Sequence, residues 1–159
     1  MTVLVRPVTA ADVEEFVGWR YEAPYDAYDI VEPLEDVVAY FVGPDVECHA
    51  LLEAGELIGF CTFGEDARIP GGDYSAEALD IGLGIRPSST GLGRGAAFVD
   101  AVIAHAEATH PPSALRVTIA AWNRRARRVW ARCGFRETAH FSVHPPVMDA
   151  KHFVVLVRG

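Results

Sequence analysis

Gly91, Gly93 and Gly95 alternate in a short segment between a strand-like stretch and a helix-like one. Glycine has no Cβ, so the backbone can turn tightly there and approach a ligand closely. The first amides of the following helix lack intrahelical partners and lie at the positive end of the helix dipole, where phosphate groups are favoured. The segment therefore predicts an anion-binding cradle, and a glycine-rich turn without a ligand is the alternative.

The stretch before these glycines, residues 78–86, has one face with few side chains. Apolar residues alternate from Leu79 to Ile85, and the opposite face carries Gly82 and Gly84 at successive positions. Glycine weakens a strand and is usually found there at a bulge or where a ligand or another backbone approaches closely. We expect a ligand along this strand, with a local bulge as the alternative.

Helices and strands alternate along the chain and position these segments. Apolar spacing and capping residues predict helices that begin near residues 9, 33, 95 and 123. Apolar runs predict strands over residues 4–8, 48–52, 57–63, 78–86, 115–121, 135–143 and 152–157, with turns at Ala54-Gly55 and Pro145-Pro146. No internal repeat interrupts this order, so we expect one α/β domain over residues 1–159.

Composition narrows the function classes. The chain has 159 residues, half of them hydrophobic, and a formal net charge of -8. This charge argues against nucleic-acid binding and suits a cationic substrate, although it also serves solubility alone. No apolar run is long enough to span a bilayer, so we expect a cytoplasmic protein without membrane contact. The three cysteines are far apart, which predicts reduced side chains, no disulfide and no metal site.

Two separated motifs resemble those of one family. Residues 78–95 resemble the acyl-CoA-binding motif of the GNAT superfamily of N-acetyltransferases, and residues 123–135 resemble its second motif, in the same order and at the same separation. The resemblance implies an α/β (α+β) fold with a central mixed, mostly antiparallel sheet of six to seven strands. About four helices would flank the sheet, and a pair of strands would splay apart at the cofactor site.

The resemblance also implies acetyl-CoA as the acyl donor. Backbone groups near Ile85 would pair with the pantetheine arm, and the amides of residues 91–96 would hold the pyrophosphate. Asn123 would point towards the cofactor and is equally suited to cap its helix. The cofactor-binding residues so implied are Ile85, Arg86, Pro87, Gly91, Leu92, Gly93, Arg94, Gly95, Ala96, Asn123 and Trp130.

Two positions depart from the family pattern. Thr90 stands where Gln or Arg is common, so Arg94 or an arginine of residues 124–128 would supply the charge for phosphate. Trp130 stands where many members have a tyrosine that protonates the departing thiolate. An indole N–H donates a hydrogen bond but supplies no proton at useful pH, so a general acid at this position is not expected.

The expected reaction is direct transfer of an acetyl group to a primary amine, which must be neutral to attack. Asp80 lies on the glycine face of the cofactor strand and is the first candidate for the base. The alternative is that its carboxylate, at the end of the strand, is simply bound to backbone groups or to an arginine. Glu77 and Glu65 are weaker candidates. Backbone amides of the strand would stabilise the oxyanion.

The acceptor is less well defined by the sequence. Tyr25, Tyr28 and Asp29 lie in a loop between the first two helices and would contact a cationic substrate, or the tyrosines would simply pack over the core. A small molecule with an amine, a protein N-terminus and a lysine side chain all remain open, as does a homodimer. The alternative function is a non-catalytic acyl-CoA-binding or sensor module.

Overall fold

The chain folds into seven strands and four α-helices within residues 2–159, the part that the computed structural model describes. The strands are β1 (Val3–Pro7), β2 (Glu47–Glu53), β3 (Glu56–Phe63), β4 (Leu79–Ile85), β5 (Leu115–Ala120), β6 (Arg136–Val147) and β7 (Ala150–Arg158), and the helices are α1 (Ala10–Val17), α2 (Leu34–Val42), α3 (Gly95–Thr109) and α4 (Arg124–Arg132). The strands form one sheet in the order β1-β2-β3-β4-β5-β7-β6, and only β4 and β5 pair in parallel. The predicted mixed, mostly antiparallel sheet with about four helices is confirmed.

Two helices, α1 and α4, begin at the capping residues that the sequence predicts. The Thr9 hydroxyl accepts a hydrogen bond from the Asp12 N–H, and the Asp12 carboxylate accepts one from the Thr9 N–H. Asn123 caps α4 by accepting from the Ala126 N–H at 3.1 Å. Each cap satisfies amides that the first turn leaves without partners.

One of the two predicted hairpin turns lies where the sequence predicts it, and the other does not. Ala54 and Gly55, with φ of 51° and 79°, connect β2 to β3 as predicted. The last hairpin turns at Met148 and Asp149, with φ of 48° and 54°, so the prediction of a turn at Pro145-Pro146 is wrong. These prolines lie inside β6, which is one of the two edge strands of the sheet, and an edge strand tolerates residues that cannot donate to a ladder.

Helix α3 packs its apolar face on the sheet and forms the main core. The buried residues of this face are Phe98, Val99, Val102, Ile103 and Ala106. Cys48 and Cys61 are also buried and free, and burial raises the pKa of the Cys61 thiol to about 12. These two cysteines therefore behave as small hydrophobic side chains. No helix in the described part of the chain has the length and apolar character that a membrane crossing requires.

Candidate active site

Strands β4 and β5 separate after a short stretch of pairing. Their register comprises Leu79 with Leu115 and Asp80 with Arg116, and no further pair forms within residues 2–159. A cavity of about 800 Å³ lies where they diverge, with Ile81–Ile85 of β4 on one wall and residues 117–120 of β5 on the other. The predicted splayed strand pair is thus present, and it opens the sheet to a ligand.

The divergence leaves backbone groups of β4 facing the cavity. The Asp80 carbonyl and the Arg86 N–H both bond towards β3, and backbone direction alternates along a strand. Leu83 is three residues from Asp80 and three from Arg86. Its N–H and C=O therefore face the opposite way, into the gap between β4 and β5. The next gap-facing carbonyl, that of Ile85, accepts a hydrogen bond from the Tyr21 hydroxyl at 2.7 Å.

The glycines of β4 make room for side chains of β3. A Cβ on Gly84 would lie 2.4 Å from the Phe60 ring, and one on Gly82 would lie 2.6 Å from Thr62 Oγ1. The Phe60 ring in turn stacks on Phe16 of α1 with a centroid separation of 4.0 Å. The register of β3 with β4 runs without a shift over its five pairs, so the bulge considered as an alternative is not observed.

The glycine loop after β4 has the backbone that its sequence predicts. Gly91 and Gly93 have φ of 71° and 74°, which L side chains rarely adopt. A Cβ on Gly95 would lie 3.0 Å from Val129, so this glycine allows α3 and α4 to approach each other. Gly93 also lines the cavity, and a Cβ added to it would meet nothing within 4 Å, so this part of the loop is open.

Positive charge reaches this loop from α4. The arginines of that helix on the cavity wall are Arg124, Arg125, Arg128 and Arg132. Arg125 Nη1 lies 3.8 Å from the position of a Cβ on Gly91. Arg94 instead forms an ion pair with Glu53 and lies outside the cavity lining. Of the two predicted sources of charge, the arginines of α4 line the cavity and Arg94 does not.

The residues implied as cofactor-binding fall into two groups. Those that line the cavity are Ile85, Gly91, Gly93, Gly95, Ala96, Asn123 and Trp130, whereas Arg86, Pro87, Leu92 and Arg94 do not. The Leu92 side chain projects away and is 64% exposed. The Arg86 guanidinium donates to Ser89 Oγ at 3.3 Å.

Asp80 is bound by arginine side chains, as the alternative to a base role predicts. Its side chain is 2% exposed and accepts from Arg116 Nε at 2.6 Å, Arg116 Nη2 at 2.8 Å and Arg68 Nε at 2.8 Å. The hydrogen bond to this carboxylate raises the pKa of Arg116. Arg116 also donates to the Ala76 carbonyl, which ties the loop before β4 to the sheet. Two arginines occupy this carboxylate outside the cavity lining, so the geometry argues against Asp80 as the base.

An acidic side chain on the cavity wall comes from a position that the sequence did not single out. Asp66 follows β3 in a short 3-10 turn and is the one carboxylate among the described lining residues. It accepts a hydrogen bond from the Tyr40 hydroxyl. Burial, together with that bond, raises the pKa of Tyr40 to about 12. Glu65 and Glu77 are exposed and lie outside the lining.

The loop between α1 and α2 covers the cavity with aromatic rings. Trp19, Tyr21, Tyr25 and Tyr28 line it, whereas Asp29 does not. The Asp29 carboxylate accepts from the Tyr21 N–H at 3.0 Å and so orients the loop. The sequence predicts an acceptor-contacting loop that includes Tyr21, Tyr25 and Tyr28, but it gives no signal for Trp19, which lies at the predicted end of the first helix.

Asn123 connects this aromatic loop to α4. While its Oδ1 caps the helix, its Nδ2 donates to the Tyr28 hydroxyl oxygen at 3.0 Å. Burial raises the pKa of Tyr28, and the Asn123 bond opposes that shift. Trp130 lies two turns further along α4, 5% exposed, with its ring edge-on to Phe135 at 5.0 Å. Trp130 therefore forms part of the core as well as of the cavity wall.

Comparisons with known proteins agree with this geometry. The family model described as an acetyltransferase (GNAT) domain matches residues 2–136. A spermidine N-acetyltransferase chimera from Vibrio cholerae and hSSAT superposes with a TM-score of 0.80 at 14% identity, over 99% of this chain and 95% of the other.

Structures of AAC(6')-Ib, an aminoglycoside acetyltransferase, superpose similarly. The complex with ribostamycin and coenzyme A gives a TM-score of 0.79 at 18% identity, and the complex with paromomycin and acetyl-CoA gives 0.77 at 20% identity. Each alignment covers 99% of this chain and 93% of the other. At these identities the structural likeness establishes the fold, and no curated protein sequence matches the chain.

Proposed function

Because the chain belongs to the GNAT family of acetyltransferases, we propose that it transfers an acetyl group from acetyl-CoA directly to a primary amine. The observation that supports this proposal most is one cavity that joins three features. These are the diverging backbone of β4, the open glycine loop and the arginines of α4. Together they suit a long ligand with an anionic end.

The residues present fit acetyl-CoA. The amides of residues 91–96 and the Arg125 guanidinium would hold the pyrophosphate, since an anion is favoured at the start of α3. The N–H and C=O of Leu83 would pair with the pantetheine arm in place of a neighbouring strand. When bound, the thioester would supply an activated acetyl group at the gap between β4 and β5.

The acceptor end of the cavity favours a cationic amine with an apolar body. Aromatic faces attract cations, and Asp66 adds a carboxylate to the cavity lining that also includes Trp19 and Tyr21. An alkyl amine with a pKa of about 10.4 is neutral in only about one molecule per few thousand at pH 7. A group that accepts its proton is therefore useful, and we assign this task to Asp66 instead of Asp80, because Asp66 lines the cavity and Asp80 does not.

Tyr25 and Tyr28 would contact the acceptor, while Asp29 would act through the loop that it orients. The cavity is open to an amine-bearing small molecule and to a flexible protein N-terminus or lysine. We favour the small molecule, because four aromatic side chains of the loop line the cavity and would contact much of a small amine.

A non-catalytic acyl-CoA-binding module is the second candidate. Trp130 favours it, because this buried indole occupies the position at which many family members carry a proton donor. The two functions differ in their products: an enzyme releases free thiol together with an acetylated amine, whereas a binding module releases neither.

The test combines binding with turnover. Isothermal titration with acetyl-CoA measures binding, and thiol release is then followed across a panel of alkyl amines, aryl-alkyl amines, polyamines, aminoglycosides and peptides. We expect binding and release with at least one small amine. Binding without release across the panel would support the binding module, and no binding would refute both candidates.

A further inference from the structure

The hydrogen bond between Asn123 and Tyr28 has a fixed direction. Asn123 Oδ1 is engaged by the Ala126 N–H, so rotating the amide would place its NH₂ group against that donor. Asn123 Nδ2 must therefore be the donor, and Tyr28 Oη the acceptor, over their 3.0 Å separation. The hydroxyl hydrogen of Tyr28 is left available for another acceptor.

Other tyrosine hydroxyls at the site are used differently. Tyr21 donates to the Ile85 carbonyl and Tyr40 bonds to the Asp66 carboxylate, so both hydroxyl hydrogens point at protein acceptors. Tyr25 contacts its neighbours through its ring, with the Arg125 guanidinium 3.9 Å from the ring centroid. Of these four tyrosines, Tyr28 is therefore the one whose hydroxyl oxygen is held by a capping residue while its hydroxyl hydrogen can be donated to a ligand.

Tyr28 is positioned to act inside the cavity. It lines the wall beside Asn123, where β5 ends, and its ring packs on Trp122 with a centroid separation of 5.5 Å. Burial raises its pKa, so the phenol stays protonated at neutral pH. The ordinary pKa values of a phenol and an alkyl thiol, about 10 and about 8.5, are close enough for a proton to pass from the phenol to the thiolate.

We propose that Tyr28 donates the proton that the departing CoA sulfur requires, in place of the donor that Trp130 cannot supply. This inference depends on the proposed acetyl transfer. In that reaction the amine nitrogen forms a bond to the acetyl carbon, the carbon–sulfur bond breaks, and the sulfur takes the proton from Tyr28 Oη. The nitrogen loses one proton, which returns to the Tyr28 oxygen through solvent, so the charges balance.

Asn123 supports this step as a positioning residue. Its N–H donor stabilises the phenolate that forms when the proton leaves, and its cap fixes the donor in space. The Asn123→Asp variant tests the direction of the bond. Aspartate also caps helices well, but its second oxygen would accept the Tyr28 O–H and withhold the proton.

The experiment measures kcat at saturating acetyl-CoA and a confirmed acceptor amine for wild type, Tyr28→Phe, Asn123→Asp and Tyr25→Phe. Loss of a general acid lowers the rate by about 10²–10⁴-fold, so we expect a fall of at least about 100-fold for Tyr28→Phe and Asn123→Asp. Tyr25→Phe removes a hydroxyl from a second tyrosine of the same loop that would contact the acceptor, so it reports the effect of a lost acceptor contact, which we expect in KM and not in kcat. Thermal melts establish that each variant is folded.

Leaving-group dependence separates proton donation from positioning. Two truncated donors, S-acetyl-N-acetylcysteamine and S-acetylthiophenol, differ in thiol acidity, and the more acidic aryl thiol leaves without a proton. We expect Tyr28→Phe to be slow with the alkyl thioester and within about 5-fold of wild type with the aryl thioester, because acid catalysis matters less for a better leaving group. Tyr25→Phe should retain the wild-type ratio between the two donors.

Two results would overturn this assignment while leaving the acetyl transfer intact. One is a Tyr28→Phe enzyme with wild-type kcat, and the other is an equal loss with both thioesters, which would indicate a positioning role. If wild type acetylates no amine, the proposed function fails instead, and the variants are not needed to show it.

Discussion

Replacing Gly93 by aspartate would place a negative charge at the open side of the glycine loop. A Cβ at this position meets nothing within 4 Å, and its φ of 74° is one that asparagine and aspartate tolerate better than other side chains. Gly93→Asn is therefore a nearly isosteric control that carries the same backbone strain without the charge. The difference between the two variants isolates electrostatic repulsion of the bound phosphates.

The size of this difference follows from Coulomb's law. At a carboxylate–phosphate separation of about 5–6 Å and an effective dielectric constant of about 20–40, each phosphate charge is repelled by about 1.5–3 kcal/mol. This corresponds to binding about 10- to 150-fold weaker for Gly93→Asp than for Gly93→Asn. Isothermal titration with acetyl-CoA at low salt measures both dissociation constants, and the ratio should shrink as salt screens the repulsion. Equal affinities of the two variants would refute the placement of the phosphates at this loop.

Three further predictions concern the supports of the site and the pH range in which they hold. Asp80→Asn removes the partner of a fully buried arginine, Arg116, and should destabilise the protein by about 3–5 kcal/mol in urea unfolding; unchanged stability with lost activity would instead restore the base role. Gly84→Ala places a methyl group 2.4 Å from an aromatic ring of β3 and should cost about 1–3 kcal/mol in the same assay, whereas a neutral effect would show that the cavity wall yields. Burial lowers the pKa values of His49 and His105, so the unfolded chain binds these protons more readily and stability should fall as the pH drops below about 6.5. Urea midpoints between pH 7.5 and 5.5 should show this slope, and His105→Gln should reduce it; an unchanged slope in that variant would contradict the assignment.

The fold and the backbone of the glycine loop could be predicted because local signals define them. Gly91 and Gly93 adopt left-handed backbone conformations that their identity favours, and Asn123 caps the helix that its sequence position indicates. Gly82 and Gly84 indicate a strand that does line the cavity. A Cβ at either position would also collide with a side chain of β3. Spacing alone did not distinguish a ligand from a neighbouring ring.

The surroundings of the candidate catalytic carboxylates could not be predicted because they depend on long-range pairing. The sequence favours Asp80 as a base because of its place on β4. Its partners are distant along the chain, since Arg116 belongs to β5 and Arg68 to the loop between β3 and β4. Asp66 reaches the cavity through a turn whose direction the local sequence does not define. The final turn was misplaced because the edge position of β6, which lets its prolines lie within a strand, is a property of the whole sheet.

The most direct test of the proposed function is the fate of the acetyl group. The protein is incubated with acetyl-CoA labelled with ¹³C in the acetyl group and with the amine panel, and the products are identified by mass spectrometry. The proposal predicts a labelled N-acetyl amine and one free thiol per acetyl group transferred, at a rate that falls in Gly93→Asp more than in Gly93→Asn. Label found only in unreacted acetyl-CoA, or in free acetate at the rate of thiol release, would contradict it.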